Sequence, residues 1–154
     1  MDLRDYPLPF FDSPVSPKRA LGDDPRIQTW AEKVDRADGF VIVTPEYNYG
    51  YPAVLKNALD HLYYLWNDKP VGFVGYGGIS GGLRAVQQLR QVVVELGMVQ
   101  THAQVLIPRV HGAFDETGSP LDPHHETTAV ALLDEVADWA QLLRTKRAAA
   151  LTPA

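Results

Sequence analysis

Cysteine is absent from this sequence of 154 residues, which excludes disulfide bonds, thiolate metal sites and a cysteine nucleophile. Such a composition is typical of reducing compartments and predicts a cytoplasmic protein. No apolar run approaches the ~18 residues that a membrane span requires, and residues 1–5 do not resemble a signal peptide. Basic residues are also few, 14 against 19 acidic ones, and the formal net charge of −5 argues against a nucleic-acid-binding surface.

Recognised catalytic and metal-binding motifs are missing as well. His124 and His125, with acidic neighbours in 115–122, match no zinc template. Ser80 lacks the G-x-S-x-G spacing of a hydrolase nucleophile. The glycine-rich run at 75–82 matches neither the dinucleotide fingerprint nor a Walker loop. We therefore assign no catalytic residue and no metal ligand.

The hydrophobic pattern predicts alternating helices and strands after an irregular, proline-rich segment at 1–25. Helices are expected at about 25–38, 54–66, 83–96 and 126–147, and strands at about 40–44, 70–76 and 103–107. This order implies a parallel sheet with right-handed crossovers. A hydrophobic content of 45% is sufficient for one packed domain, placed at 1–150 with a tail at 151–154.

A loop rich in tyrosine and proline follows the first predicted strand, over 44–52. Parallel sheets bind their ligands at the carboxyl ends of the strands, where this loop would lie. Its three tyrosines, with Asn48 and two prolines, make a stiff aromatic surface suited to a flat heteroaromatic ring. An ordinary strand-to-helix connection with packed tyrosines is the alternative.

A second loop, at 75–82, follows the next strand and contains five glycines. Glycine adopts positive φ and lets a ligand approach the main chain. Because the loop precedes a helix, unpaired N–H groups there favour an anion or the electron-rich edge of a ring. A flexible turn is the alternative for this loop.

Together these segments resemble the NADPH-dependent FMN reductase family of flavodoxin-like proteins, which also includes quinone, chromate and azo-dye reductases. The resemblance rests on 44–48 in the first loop, 55–60 in the helix after it, 76–82 in the glycine loop, and Ile107-Pro108. It extends from about Leu3 to the last helix.

The resemblance implies an α/β fold of flavodoxin-like type, a three-layer sandwich around a parallel sheet. It also implies FMN and NAD(P)H as cofactors, with backbone groups of Glu46, Tyr47 and Asn48 on one side of the flavin ring and the glycine loop on the other. The complete set of candidate cofactor-binding residues is Pro45, Glu46, Tyr47, Asn48, Tyr76, Gly77, Gly78, Gly81 and Gly82. The Glu46 side chain itself is interpreted as a solvated carboxylate or as a charge at a helix N-terminus.

Members of this family open with a strand and a loop that binds the FMN phosphate, whereas residues 3–9 resemble the end of the family's second strand. We therefore expect the first strand and the phosphate loop to be missing, so that the domain is N-terminally incomplete. The loss of three or four charge-assisted bonds would cost roughly 5 kcal/mol or more. Affinity for FMN would then fall by about three to four decades.

The sequence thus predicts a reductase that passes hydride from NAD(P)H through FMN to a small-molecule acceptor such as a flavin or quinone. Apolar stripes on the second and last helices favour a homodimer or higher homo-oligomer. The main alternative is a non-catalytic, shortened paralogue that acts as an oligomeric interaction module. A flavodoxin-type electron carrier is a third possibility, weakened by the expected loss of the phosphate loop.

Overall fold

The structure is a computed structural model that describes residues 1–150, and the predicted tail at 151–154 lies outside the described residues. The helices are α1 (Pro25–Asp35), α2 (Ala53–Asp60), α3 (Leu83–Glu95) and α4 (Pro123–Ala150), and the strands are β1 (Phe40–Pro45), β2 (Pro70–Tyr76) and β3 (Val99–Ile107). Short 3₁₀ turns occupy Leu3–Asp5, Tyr64–Trp66 and Val110–Gly112.

The three strands form one parallel sheet in the order β1-β2-β3, which confirms the predicted α/β class. Pro45 lies opposite Tyr76, and Tyr76 lies opposite Ile107. All three strands therefore end at the same edge of the sheet, and the loops that follow them start side by side.

Helices cover both faces of this sheet, which gives three layers. On one face α1, α2 and α3 pack around Phe73, with Trp30 and Leu89 among the buried residues. On the other face α4 packs through Leu132 against Val105. Apolar residues follow one another without a break over 40–43 of β1, because successive side chains point to opposite faces and both faces are covered.

Local signals fix several helix ends. The side chain of Asp24 accepts a hydrogen bond from the Arg26 N–H, and Pro25 occupies the first turn of α1. The chain leaves α3 through Gly97, whose φ of +66° is the left-handed conformation that glycine commonly adopts after the end of a helix.

Two predicted helices differ from the structure. The second ends at Asp60 instead of about 66, because the chain turns there and folds Trp66 into the core, with its indole N–H donating to the Leu59 carbonyl. The last helix extends three residues beyond the predicted 126–147 at each end, and its apolar residues are not all buried: Leu132 is buried, whereas Val130 and Leu133 are 54% and 56% exposed.

The third strand begins at Val99, four residues earlier than predicted. Its polar start is stabilised from outside the strand. The Glu135 carboxylate on α4 accepts hydrogen bonds from the backbone N–H groups of His102 and Ala103, at 2.7 and 2.9 Å. These two N–H groups lie where the β2–β3 register is irregular, between the partners of Val71 and Phe73, and the bonds tie α4 to β3.

The opposite edge of the sheet is β1, and within residues 1–150 no strand pairs with it there. The Glu46 N–H donates to the Tyr76 carbonyl, so the register turns the backbone groups of Val41 and Val43 outward. Val43 is 64% exposed. This open edge carries no charged residue.

Candidate functional site

A cavity of about 730 Å³ opens at the carboxyl edge of the sheet. Its walls come from the loops after all three strands: Pro45, Glu46, Tyr47, Tyr76, Gly77, Gly78, Arg109, Val110, His111 and Gly112. The structure thus brings together six of the nine residues proposed from the sequence. The cavity has the size of known small-molecule sites.

The loop after β1 is a tight hairpin. Tyr47 and Gly50 exchange two backbone hydrogen bonds, of 2.8 and 3.0 Å, across Asn48 and Tyr49. Both central residues have positive φ, +48° and +74°. Asparagine tolerates this region, but for a tyrosine it is strained. Asn48 lies at the tip of the hairpin and outside the cavity wall.

Hydrogen bonds within the chain already use several N–H groups near the cavity. The N–H of Glu46 donates to the Tyr76 carbonyl, that of Tyr47 to the Gly50 carbonyl, and that of Gly77 to the Ile107 carbonyl. Among the described residues, the N–H groups of Asn48 and Gly78 have no such acceptor. Of these two residues Gly78 lines the cavity and Asn48 does not, so a ring bound here would find a backbone donor at Gly78.

Two kinds of glycine occur in the second loop. A Cβ at Gly81 or Gly82 would lie 2.9 Å from the Pro108 nitrogen or 2.5 Å from the Tyr76 nitrogen, and both residues have positive φ. These two glycines shape the turn and do not line the cavity. Gly78, in contrast, lines the cavity and has open space where a Cβ would stand. A ligand could therefore contact the main chain at Gly78.

The Glu46 side chain is 7% exposed, so the interpretation as a solvated carboxylate is wrong. It accepts hydrogen bonds from the Ser80 hydroxyl at 2.8 Å and from the backbone and guanidinium of Arg84 at 2.9 and 2.8 Å. Burial raises the pKa of this carboxyl, but the hydrogen bonds and the Arg84 charge outweigh burial and hold the pKa below its usual value. Glu46 is therefore ionised, at the N-terminus of α3.

The loop after β3 supplies a wall that sequence reasoning did not include. Arg109 has a φ of +48°, and its N–H donates to the Gly78 carbonyl at 2.7 Å. His111 follows in the same wall. Their position after a strand of the parallel sheet is the feature of the sequence that indicates a place in the site. Residues at such positions are, however, more often simply solvated or packed. Here Arg109 and His111 add basic groups to one side of the cavity.

A second cavity, of about 950 Å³, adjoins the first on the open side of β1. The two share Pro45, Tyr47 and Tyr76 as walls. Arg4, which forms an ion pair with Asp2, lines the second cavity.

Within residues 1–150, no three His, Asp or Glu side chains are grouped so that they could hold a metal ion. None of the described helices is long and apolar enough to span a membrane.

Comparison with known proteins agrees with this geometry. The family model of the NADPH-dependent FMN reductases matches residues 1–112. The NAD(P)H-dependent FMN reductase C4B3.06c of Schizosaccharomyces pombe is 44% identical over 124 residues, which are 75% of this chain and 60% of that protein. The quinone reductase of Escherichia coli K12 is 36% identical over 122 residues, 75% of this chain and 64% of that protein.

Among solved structures, the fold is similar to FerB of Paracoccus denitrificans, a flavoenzyme NAD(P)H:(acceptor) oxidoreductase. The TM-score is 0.66 at 25% identity, covering 90% of this chain and 76% of that one. The present chain thus spans about six-tenths of the length of the curated relatives named above.

Proposed function

Because this chain belongs to the NADPH-dependent FMN reductase family, we propose that it binds FMN at the cavity below the β1 and β2 loops and oxidises NAD(P)H there. The observation that carries the proposal is the convergence of these loops on one cavity of about 730 Å³, with the accessible backbone of Gly78 in its wall. When bound, FMN supplies the hydride chemistry, and the protein's part is positioning.

The residues present fit a flavin ring. Pro45, Tyr47 and Tyr76 offer flat apolar walls, while Gly78 offers an N–H group toward the polar edge of the ring. Glu46 contributes its backbone, since its carboxylate is engaged on the side of α3. Arg109 and His111 face the same cavity and suit the negative charge of a nicotinamide cofactor or of an acidic acceptor.

The electron acceptor, on this proposal, is a small molecule such as a free flavin or a quinone. The relatives are named FMN reductase and quinone reductase, which supports this class without choosing within it.

A graded series at Gly78 tests the proposal. Gly78→Ala, Gly78→Val and Gly78→Phe add bulk where the structure has no atom within 4 Å, so the fold should tolerate them while the cavity fills. We expect NAD(P)H oxidation with added FMN and a quinone to fall in that order, with at least about tenfold loss for the largest residue. Unfolding midpoints provide the control. Activity that does not depend on bulk at Gly78 would place the reaction elsewhere.

A second candidate function, an oligomeric interaction module, is favoured by the open β1 edge with its exposed Val43. It predicts self-association without any flavin requirement. The two functions are separated by whether FMN changes the properties of the chain.

A further inference from the structure

Glu46, Ser80 and Arg84 form a cluster, here called the Glu46 clasp, that joins the loop after β1 to the glycine loop and to the first turn of α3. Both carboxylate oxygens of Glu46 accept hydrogen bonds, Oε1 from Ser80 and from the Arg84 guanidinium, Oε2 from the Arg84 N–H. The partners are 34 and 38 residues away in sequence. The clasp is therefore a tertiary contact between the two walls of the site.

Arg84 also holds the tip of the hairpin. Its guanidinium lies 3.9 Å from the centre of the Tyr49 ring, a cation–π contact. One turn further along α3, the side-chain amide of Gln88 donates to the Tyr49 carbonyl at 2.8 Å. Tyr49 has a strained φ of +74°. The contacts from α3 therefore stabilise a backbone conformation that would be unfavourable in the loop by itself.

The carboxylate of Glu46 costs free energy to bury, and all three of its donors lie on the side of α3. If the side chain at position 46 only had to accept one nearby hydrogen bond, a polar residue of any shape would serve. Here both carboxylate oxygens are used: Oε1 accepts from two side chains, and Oε2 accepts from a backbone N–H. The contact therefore fixes the distance between the two loops as well as their attachment.

We propose that Glu46 is a positioning residue: the clasp sets the width of the flavin site between the β1 loop and the glycine loop, without the carboxylate touching the flavin. This inference rests on the proposed function. It follows that disrupting the clasp should loosen both loops together and weaken FMN binding, although the hydrogen bonds that are lost join Glu46 to Ser80 and Arg84 and not to the ring.

The first test uses the chain without flavin. Glu46→Gln keeps the size of the side chain but places an NH₂ group where only acceptors fit, facing the Ser80 and Arg84 donors. We expect amide hydrogen exchange to become faster in both 46–50 and 77–84. The matched control is Glu135→Gln, which alters another carboxylate that binds backbone N–H groups, far from the loops. Faster exchange in one loop alone, or in neither, would overturn the proposal.

The second test measures FMN affinity by quenching of flavin fluorescence. We expect Glu46→Gln to weaken binding about tenfold, Ser80→Ala to shift it in the same direction by less, and Glu135→Gln to leave it unchanged. Glu46→Gln and Arg84→Gln are also compared with the double variant that carries both changes. Because the clasp acts as a unit, the double variant should bind FMN no more weakly than whichever single variant has the lower affinity. Additive losses would contradict a shared clasp.

The two tests separate this inference from the proposed function. A wild-type chain that does not bind FMN would contradict the proposed function, whereas the exchange measurement would still decide whether the clasp couples the loops. Should Glu46→Gln fail to fold by circular dichroism, Ser80→Ala carries both measurements, because it removes one hydrogen bond and leaves the ion pair.

Discussion

At the scale of single residues, backbone geometry divides the glycines of the second loop into two roles that the sequence does not separate. Gly78 faces open space, whereas Gly82, with a φ of +87°, lies against the backbone of Gly75 and Tyr76. Both glycines are candidate cofactor-binding residues on the same family resemblance. Their assignment to the flavin site remains a prediction, and the structure favours Gly78 as the one that a ligand could contact.

Gly82→Ala should destabilise the protein strongly, because a Cβ would lie 2.5 Å from the Tyr76 nitrogen and 2.7 Å from the Gly75 carbonyl carbon, both backbone atoms. Overpacking and the positive φ together predict a loss of at least about 3 kcal/mol in the free energy of unfolding. Chemical denaturation measures this loss.

Gly118→Ala is the matched control for that prediction. Gly118 has nearly the same φ, +85°, but no atom lies within 4 Å of the added Cβ. Only the conformational cost remains, about 1 kcal/mol. Equal losses for the two variants would show that crowding at Gly82 is unimportant.

Glu46 shows why part of the site could not be predicted from the sequence. The pattern around 44–52 placed a loop correctly at the end of a strand, because period and composition are local signals. The burial of the Glu46 carboxylate depends on Ser80 and Arg84, which only the parallel pairing of β1 and β2 brings near. No local signal in the sequence marks that contact.

At the scale of elements, the order of helices and strands followed from hydrophobic periodicity, and the structure confirms it. The end of the second helix could not be predicted in this way, since apolar residues continue at helical spacing as far as Trp66. That indole packs against Phe40 at 5.0 Å between ring centres, a contact between elements that overrides the local pattern. The attachment of α4 to β3 likewise includes a contact that no local pattern marks, the bonds from His102 and Ala103 to Glu135.

The Glu135 contact predicts a pH dependence. Burial raises the pKa of this carboxyl, but the N–H groups of Ala103 and His102 outweigh burial and lower the pKa below its usual value. A carboxyl with a lowered folded-state pKa contributes stability that is present above the unfolded-state pKa, about 4.3, and is lost as pH falls through the folded-state value.

Glu135→Gln should therefore lower the free energy of unfolding by about 1–2 kcal/mol at neutral pH, and the difference from the wild type should shrink in acid. Urea titrations across the acid range measure it. A difference that stays constant down to the acid unfolding transition would mean that the ionised carboxylate does not stabilise the edge of β3.

At the scale of the whole molecule, the two edges of the sheet are unequal. On β3, Glu135 of α4 accepts two backbone N–H groups, whereas the β1 edge presents the backbone groups of Val41 and Val43 without a partner strand in residues 1–150. Natural sheets usually protect such edges with charge, proline or a covering element. The predicted homo-oligomer, the single domain at 1–150 and the cytoplasmic location all remain predictions.

The open edge predicts concentration-dependent self-association, and Val43→Lys should reduce it, because a charged side chain next to the exposed backbone groups opposes pairing with a second chain. Val94→Lys is the control: Val94 is 62% exposed, nearly as much as Val43, but lies on α3. Sedimentation velocity over a range of concentrations measures both. Equal behaviour of the two variants would exclude β1 as the contact.

The most direct test of the account is a titration of this chain with FMN, followed by flavin fluorescence, with riboflavin titrated in parallel. The ring site built from the β1 and β2 loops predicts saturable, one-to-one quenching by both ligands, and weaker binding to the Gly78→Phe variant. Quenching that remains unsaturated up to millimolar flavin, while circular dichroism shows a folded chain, would contradict the flavin site itself.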